Sequence, residues 1–267
     1  MAAPTTHKAQ DHPLANLLVN VLIPVFALSF LSKDPALQHA LGKAARPWQI
    51  GPVKAMFVAL ALPIGYGVWY FAKTRRWNFF SGLGLLSVLL TGGLTIYLWN
   101  KDGSVKPHAG LLFGIKEALI PLVLGVAVLM SRRSPTPLIR VFLYNDTIFD
   151  IPKIERRVEE ISAGREYAVI LSGATKLFAA SFFLSSAMNL ALVRWFFRGF
   201  DPTAVNALET FNTTVGRVMG WGFAVIGLPI LVFLYFTLRQ LLDRLGKLTG
   251  YSDEELMHPR QAGRAGD

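Results

Sequence analysis

The strongest constraint on the fold is a set of six long apolar stretches, each 18 to 27 residues long with at most two charged residues. They cover residues 14–31, 53–72, 79–99, 111–130, 167–193 and 215–238. An α-helix needs about 20 mostly apolar residues to cross the ~30 Å hydrocarbon core of a bilayer. Because lipid offers no hydrogen bonds, such a segment must satisfy its own backbone as a helix. The sequence therefore predicts an all-α, polytopic integral membrane protein with six transmembrane helices.

Composition agrees with this class and excludes several others. Hydrophobic residues make up 52% of the chain and charged residues 16%, whereas soluble domains carry about 25% charged residues. So high an apolar content excludes disorder for most of the chain. The chain has no cysteine, which excludes a disulfide framework and a cysteine-ligated zinc or iron–sulfur site.

Basic residues fall unevenly on the two sides of the predicted helices. Sixteen lie in the connections and terminal segments of one side, and six lie on the other side. Because cytoplasmic connections carry an excess of Lys and Arg, both termini are expected in the cytoplasm. The net charge of +10 is then explained by an anionic lipid surface. Nucleic-acid binding is not expected, since the charges are scattered among loops.

The predicted organisation has three parts. Residues 1–13 are a mobile cytoplasmic N-terminus, residues 14–238 form the transmembrane domain, and residues 239–267 form a basic cytoplasmic tail. The tail is polar and expected to be mobile from residue 251 onward. The first apolar stretch is expected to be retained rather than cleaved as a signal peptide, because its basic leader is weak and Pro24 interrupts it.

One long polar connection, residues 131–166, joins the fourth and fifth apolar stretches. Four apolar residues recur there at helical spacing, with charged residues between them: Ile151, Ile154, Val158 and Ile161. This spacing predicts a short amphipathic helix. Two interpretations stand, a linker helix packed on the bundle and a basic helix lying on the inner leaflet.

Prolines indicate a weak internal repeat. The second, fourth and sixth stretches each contain one, placed 10 to 12 residues before basic residues: Pro63, Pro121 and Pro229. Three helical hairpins would produce this pattern. Prolines and flanking arginines are also ordinary in membrane helices, so both explanations stand.

Motifs for catalysis or metal binding are lacking. The sequence contains no GxSxG, HExxH or phosphate-binding loop, and its five histidines are dispersed outside the apolar stretches. We therefore predict no catalytic residue, no metal site and no cofactor, and we do not expect an enzyme. The glycosylation-like tripeptide Asn212-Thr-Thr214 is treated as a chance match.

Charged residues inside a membrane helix are expensive and point to function until they are explained. Glu117 is the only acidic residue deep inside a stretch, and Lys176 is expected at a similar depth. We predict an intramembrane ion pair or polar cluster of Glu117, Lys176 and Asn189. It would be a structural pair or a proton or ion relay. The third alternative is that the charged side chains simply extend to the membrane interface. The neighbouring Lys116 could also reach the outer interface.

Two Gly-x-x-x-Gly pairs mark expected helix-packing faces. They are Gly110 with Gly114, and Gly216 with Gly220. This spacing lets helix backbones approach closely. It serves either packing within the monomer or contact between the subunits of a homo-oligomer.

Several short segments form a combination that extends over most of the chain. They are Leu90-Thr-Gly-Gly-Leu-Thr-Ile-Tyr-Leu98, Lys106-Pro107, Pro137-Leu-Ile139, Phe182-Phe183, Ala187-Met-Asn189, Phe211, Gly216 and residues 17–24. This combination resembles the intracellular septation protein A family of bacterial inner membranes. The chain departs from the family pattern at Leu190 and Asn212, and in having six stretches rather than five. The resemblance implies an inner-membrane protein linked to envelope synthesis and cell division, without catalytic residues.

The leading functional hypothesis is a non-enzymatic protein of the bacterial inner membrane. It would act through the lipid bilayer and through envelope or division proteins. The alternative is a small-solute or ion transporter or channel that uses Glu117 and the polar fifth stretch. That stretch contains Ser172, Thr175, Lys176, Ser181, Ser185, Ser186 and Asn189. A water-accessible cavity around Glu117 would favour transport, and a dry core would favour the interaction protein.

Overall fold

The computed structural model describes residues 22–74, 79–100, 102–134 and 137–257, and most of these residues are helical. The α-helices are α1 (Ile23–Phe26), α2 (Pro35–Ala40), α3 (Pro52–Thr74), α4 (Phe79–Leu98), α5 (Ala109–Ser131), α6 (Ile139–Phe142), α7 (Ile151–Glu160), α8 (Gly164–Phe196), α9 (Ala207–Gly222), α10 (Leu228–Thr249) and α11 (Asp253–Leu256). Two π-helical segments, Ala27–Leu31 and Phe223–Gly227, continue α1 and α9. No β-strand forms among these residues, which contain only isolated bridges. The predicted all-α class is confirmed.

Four helical stretches are long and apolar enough to cross a membrane. They are Pro52–Trp69, Ala109–Ser131, Gly164–Phe196 and Ala207–Thr249. They coincide with the second, fourth, fifth and sixth apolar stretches of the sequence, whose length and hydropathy dictate the helices. The structure thus contains four candidate membrane-spanning helices, which fits the predicted polytopic membrane protein.

The predicted number of six spans is not established. The third stretch forms α4, but its described apolar part, Leu89–Leu98, is shorter than a span. The first stretch is described only from Leu22, where it is helical. Its residues 14–21, the predicted mobile N-terminus 1–13 and residues 258–267 of the predicted tail lie outside the described residues.

The candidate spanning helices expose a large area of apolar side chains, which would be unfavourable in water. In Ala207–Thr249 only 11% of the most apolar 18-residue window is buried within the protein. Leu231, Tyr235 and Phe236 on α10 are among the most exposed large side chains. Contiguous apolar surface of this kind marks a membrane or partner surface, and hydrocarbon chains fit it.

The chain divides into two compact units. The first is built from Met1–Lys116 and Asn189–Ala224, and the second from Glu117–Met188 and Val225–Asp267. In the first unit, α9 packs against α1, the π-helical segment Ala27–Leu31 and α3, and α3 packs against α4. In the second unit, α7 and α11 pack against α10.

The predicted amphipathic helix is α7. Asp150 caps its N-terminus, because its carboxylate accepts a 3.2 Å hydrogen bond from the Lys153 N–H. Three of the four spaced apolar residues are buried in the core of the second unit: Ile151, Ile154 and Val158. The apolar face of α7 is therefore covered by protein, which agrees with a linker helix packed on the bundle.

The start of the predicted mobile tail is folded. Ser252 and Glu255 form a capping box at α11, in which the Ser252 hydroxyl accepts from the Glu255 N–H and the Glu255 carboxylate accepts from the Ser252 N–H. Leu256 is fully buried in the core of the second unit. Residues 251–257, which were expected to be mobile, thus pack on the second unit, where this short helix buries an apolar anchor.

Candidate functional site: polar residues among the membrane helices

One ammonium group is buried among the membrane helices of the first unit. Lys116 on α5 is only 8% exposed, and its Nζ donates a 2.7 Å hydrogen bond to Thr91 Oγ1 on α4. The same Nζ lies 5.2 Å from the centroid of the Phe113 ring, within the range of a cation–π interaction. The Thr91 hydroxyl donates to the Ser87 carbonyl at 2.8 Å, so its oxygen can accept from the lysine.

The buried position differs from the alternative in which the Lys116 side chain reaches the outer interface. At 1.5 Å per residue, Lys116 lies about 11 Å from the start of α5 and about 23 Å from its end. Its ammonium is held by Thr91 and Phe113 rather than by water at a helix end. A buried lysine and a lysine that extends to the interface look alike in sequence. The signal that distinguishes them here is the stripe of Ser87, Thr91 and Thr95 at helical spacing on α4.

Glu117 and Lys176 both lie in the second unit, but helix register separates them. Ser186 on α8 donates a 2.8 Å hydrogen bond to the Ala118 carbonyl on α5. Lys176 is exposed and lies ten residues before Ser186, about 15 Å along the helix. The structure therefore does not bring Glu117 and Lys176 together. The sequence estimate measured the depth of each residue from the end of its own helix. Such depths can be compared only when the two helices end at the same level, and α8 has 33 residues whereas α5 has 23.

The hydroxyl groups of the fifth stretch mostly have backbone partners. Thr175 donates to the Leu171 carbonyl and Ser181 to the Phe178 carbonyl, each at 2.7 Å. Such bonds to the preceding turn satisfy a buried hydroxyl without a ligand. Asn189, the third residue of the predicted cluster, is half-buried on the part of α8 that belongs to the first unit.

Both predicted glycine pairs lie at helix contacts within the first unit. A Cβ added at Gly110 would lie 2.9 Å from the Phe197 side chain, and one added at Gly114 would lie 3.2 Å from Leu190. A Cβ added at Gly216 would lie 2.6 Å from Ser29 Oγ. At Gly220 the nearest atom, on Val25, is 3.5 Å away. These glycines let α5 approach α8 and let α9 approach the start of the described chain.

A polar network joins α7 to its neighbours in the second unit. We call residues 137–163 together with residues 239–257 the α7 platform. Arg140 Nη2 donates to Glu155 Oε1 at 2.6 Å and to Tyr167 Oη at 3.3 Å. The hydroxyls of Tyr167 and Tyr144 are 3.0 Å apart. Burial raises the pKa of Tyr144 far above its usual range, and the nearby Tyr167 raises it further. The phenol therefore stays protonated, and the hydrogen bonds of the network tie α7 to α6 and α8.

Asn212, the first residue of the glycosylation-like tripeptide, is fully buried in the first unit. Its Nδ2 donates a 2.8 Å hydrogen bond to the Pro52 carbonyl, which ties α9 to the first turn of α3. A side chain in this position is not accessible to a glycosyltransferase. The structure thus gives Asn212 a packing role.

Among the described residues, no three or more His, Cys, Asp or Glu side chains are grouped so that they could hold a metal ion. Comparisons with protein-family models, curated proteins and solved structures find no match to this chain. The function is therefore inferred from the residues and contacts themselves.

Proposed function

We propose that this chain is a six-span, multi-pass protein of the bacterial inner membrane with both termini in the cytoplasm. It is a distant relative of the intracellular septation protein A family, is not an enzyme, and serves envelope biogenesis or cell division through protein or lipid contacts. The basic asymmetry of the connections supports the orientation. The resemblance supports the cellular role.

Two further spans complete this topology. Helix α4 has 20 residues, about 30 Å of helix, which matches the thickness of the hydrocarbon core. The helical residues 22–31 continue an apolar stretch that begins at residue 14. With these two, the spans pair as three helical hairpins.

The α7 platform is the observation that carries the proposal. Its helix α7 is fixed on the spans by a buried apolar face and by a 3.4 Å hydrogen bond that the Tyr167 hydroxyl on α8 donates to Glu155. The Arg140–Glu155 ion pair joins α7 to α6. Arg156, Glu159 and Glu160 lie on its exposed side. A rigid helix with a mixed-charge surface suits recognition of a protein partner through complementary charge.

Complementation of a deletion strain tests this role. Deletion should alter cell length or envelope integrity, and the wild-type chain should restore it. The charge-swapped variant Arg156→Glu with Glu159→Lys should insert into the membrane normally, because its net charge is unchanged. It should fail to restore cell length or envelope integrity, because the charge pattern on α7 is reversed. The matched control is Arg165→Glu with Glu166→Lys, which reverses two exposed charges on α8 outside the α7 platform. Full restoration by the α7 variant would contradict the proposal.

The second candidate is a small-solute or ion transporter or channel that uses Glu117 and the polar fifth stretch. The burial of Lys116 favours it, because an ionisable group inside a membrane protein is expensive and is a functional-site hypothesis by default. Flux measured in liposomes containing the purified chain tests it. Flux that is present in the wild type and lost in Lys116→Met would replace the first proposal with this one.

A further inference from the structure

A crevice opens in the first unit where α3 and α9 begin. Its volume is about 660 Å³, and its lining includes Gln49, Lys54 and Glu209. Two candidate membrane spans start at this level, at Pro52 and Ala207. Trp48, next to Gln49, is exposed, with the Arg46 guanidinium 5.7 Å from its ring centroid. Exposed tryptophan is typical of the membrane–water interface.

The carboxylate of Glu209 is held in place on one wall of the crevice. The Gln38 amide donates to its two oxygens at 3.5 and 3.3 Å, and the Asp34 N–H donates to Oε2 at 3.4 Å. Gln38 is itself 94% buried. A carboxylate has about four acceptor positions, so these long bonds position Glu209 while leaving capacity for a further donor.

Gln49 supplies an unused donor on the crevice wall. It is 92% buried, and its Oε1 accepts a 2.9 Å hydrogen bond from the Arg46 N–H. Within the described residues its NH₂ group donates to no acceptor, although its side chain lines the crevice. The Nε2 atom itself reaches solvent, unlike the buried side-chain atoms that lack a partner, so it can donate to a ligand or water with an acceptor oxygen in the crevice.

The lining thus contains a carboxylate, an unused amide donor and the exposed ammonium of Lys54. Opposite charges at one site suit a zwitterion whose ammonium meets Glu209 and whose anionic oxygens meet Lys54 and Gln49. The lining also includes Val53 and Val205, which are exposed. Apolar exposure beside a zwitterion site, at the start of two spans, fits a lipid better than a free solute.

We propose that this crevice binds the headgroup of a zwitterionic aminophospholipid. Glu209 accepts from the primary ammonium, while Lys54 and the Gln49 amide donate to the phosphate. This inference specifies the lipid contact within the proposed function. It does not depend on the partner contacts of the α7 platform, so either idea can fail without the other.

Thermal unfolding of the purified full chain in detergent tests lipid binding. Phosphatidylethanolamine should raise the unfolding temperature with increasing lipid concentration, because a ligand of the folded state stabilises it. Phosphatidylcholine with the same acyl chains should raise it far less, because its quaternary ammonium has no N–H to donate. Equal shifts from the two lipids, or from phosphatidylglycerol, would overturn the proposal. An equal shift from soluble glycerophosphoethanolamine would overturn the lipid source.

Variants identify the residues responsible. Lys54→Gln and Glu209→Gln should each weaken the response to phosphatidylethanolamine about tenfold or more, as expected for the loss of a charge-assisted hydrogen bond. Lys33→Gln and Glu254→Gln are matched controls, since both residues are exposed and lie outside the lining. Lys54 is exposed, so its variant reports binding even if Glu209→Gln lowers stability. A full response in Lys54→Gln would overturn the assignment.

Discussion

The Lys116 ammonium on α5 donates to the Thr91 hydroxyl on α4 at 2.7 Å, and both side chains are buried. The bond gives α4 a polar contact with α5 inside the first unit. It also gives an expensive intramembrane charge a fixed acceptor. The stability of the first unit should therefore depend on this pair.

We expect Thr91→Val to destabilise the protein by about 1–3 kcal/mol, because the buried ammonium loses an acceptor. Denaturant unfolding in detergent measures this cost. In a Lys116→Met background the same substitution should cost less, since no ammonium then needs the acceptor. Thr95→Val is the control, because its hydroxyl donates to the Thr91 carbonyl and its cost should not depend on Lys116. Equal costs of Thr91→Val in both backgrounds would contradict the coupling.

Because Glu117 and Lys176 are separated, we expect substitutions of the two residues to have independent effects on the free energy of unfolding. The substitutions Glu117→Gln and Lys176→Met should be additive within about 0.5 kcal/mol, as distant sites usually are. Unfolding of both single variants and the double variant completes the cycle. If the double variant instead recovers part of the single losses, the ion pair predicted from sequence is correct, because a lone buried charge costs more than none.

The helices could be predicted from the sequence because each is set by a local pattern. The length of the apolar stretches predicts the spanning helices. The spacing of Ile151, Ile154 and Val158 predicts α7. Register between helices depends instead on contacts between distant residues, such as Ser186 with Ala118. A uniformly apolar helix carries no local mark of such a contact.

The same limit applies to the polar groups. Nothing adjacent to Lys116 indicates whether its side chain turns inward or toward the interface, since the deciding residue, Thr91, is 25 positions away. The crevice depends on Gln49 and Glu209, which are farther apart still. The folded tail is different, because Ser252 followed by Glu255 is a local capping-box pattern that could have been recognised.

Close approach of α9 to the π-helical segment should make Gly216 intolerant of a side chain. Gly216→Ala would place a methyl group 2.6 Å from Ser29 Oγ, and overpacking of this kind costs about 1–3 kcal/mol. Gly220→Ala meets Val25 only at 3.5 Å and should cost less. Adding Ser29→Ala should recover part of the Gly216→Ala loss in thermal unfolding. A Gly216→Ala variant as stable as the wild type would show that the helices are not this close.

The capping box of α11 should respond to acid. Hydrogen bonds from the Ser252 backbone and hydroxyl lower the pKa of Glu255 below its ordinary value of 4.5. A carboxylate with a lowered pKa stabilises the fold above its ordinary pKa, and this contribution is lost as pH falls through the lowered value. The protection of amides 251–257 from hydrogen exchange, relative to the intrinsic exchange rate at each pH, should therefore decrease below about pH 4.5. Ser252→Ala should raise the pKa of Glu255; an unchanged value, measured by NMR titration, would argue against the box.

Membrane orientation can be tested with single cysteines, because the chain has none of its own. Lys43→Cys, His108→Cys and Asp146→Cys each replace an exposed residue in a connection or beside a helix end. The excess of basic residues on the cytoplasmic side predicts that an impermeant maleimide reaches Lys43→Cys and His108→Cys in cells with a permeabilised outer membrane. It should reach Asp146→Cys only after lysis.

The comparison of Lys43→Cys with His108→Cys decides whether α4 spans the membrane. Among the described residues between these two positions, α3 and α4 are the long helices, and α3 contains a candidate span. If α4 also crosses, the two cysteines share a side and label together. If α4 does not cross, they lie on opposite sides and only one labels before lysis. That outcome would remove the third span and with it the six-span topology, whereas labelling of Asp146→Cys before lysis would reverse the orientation.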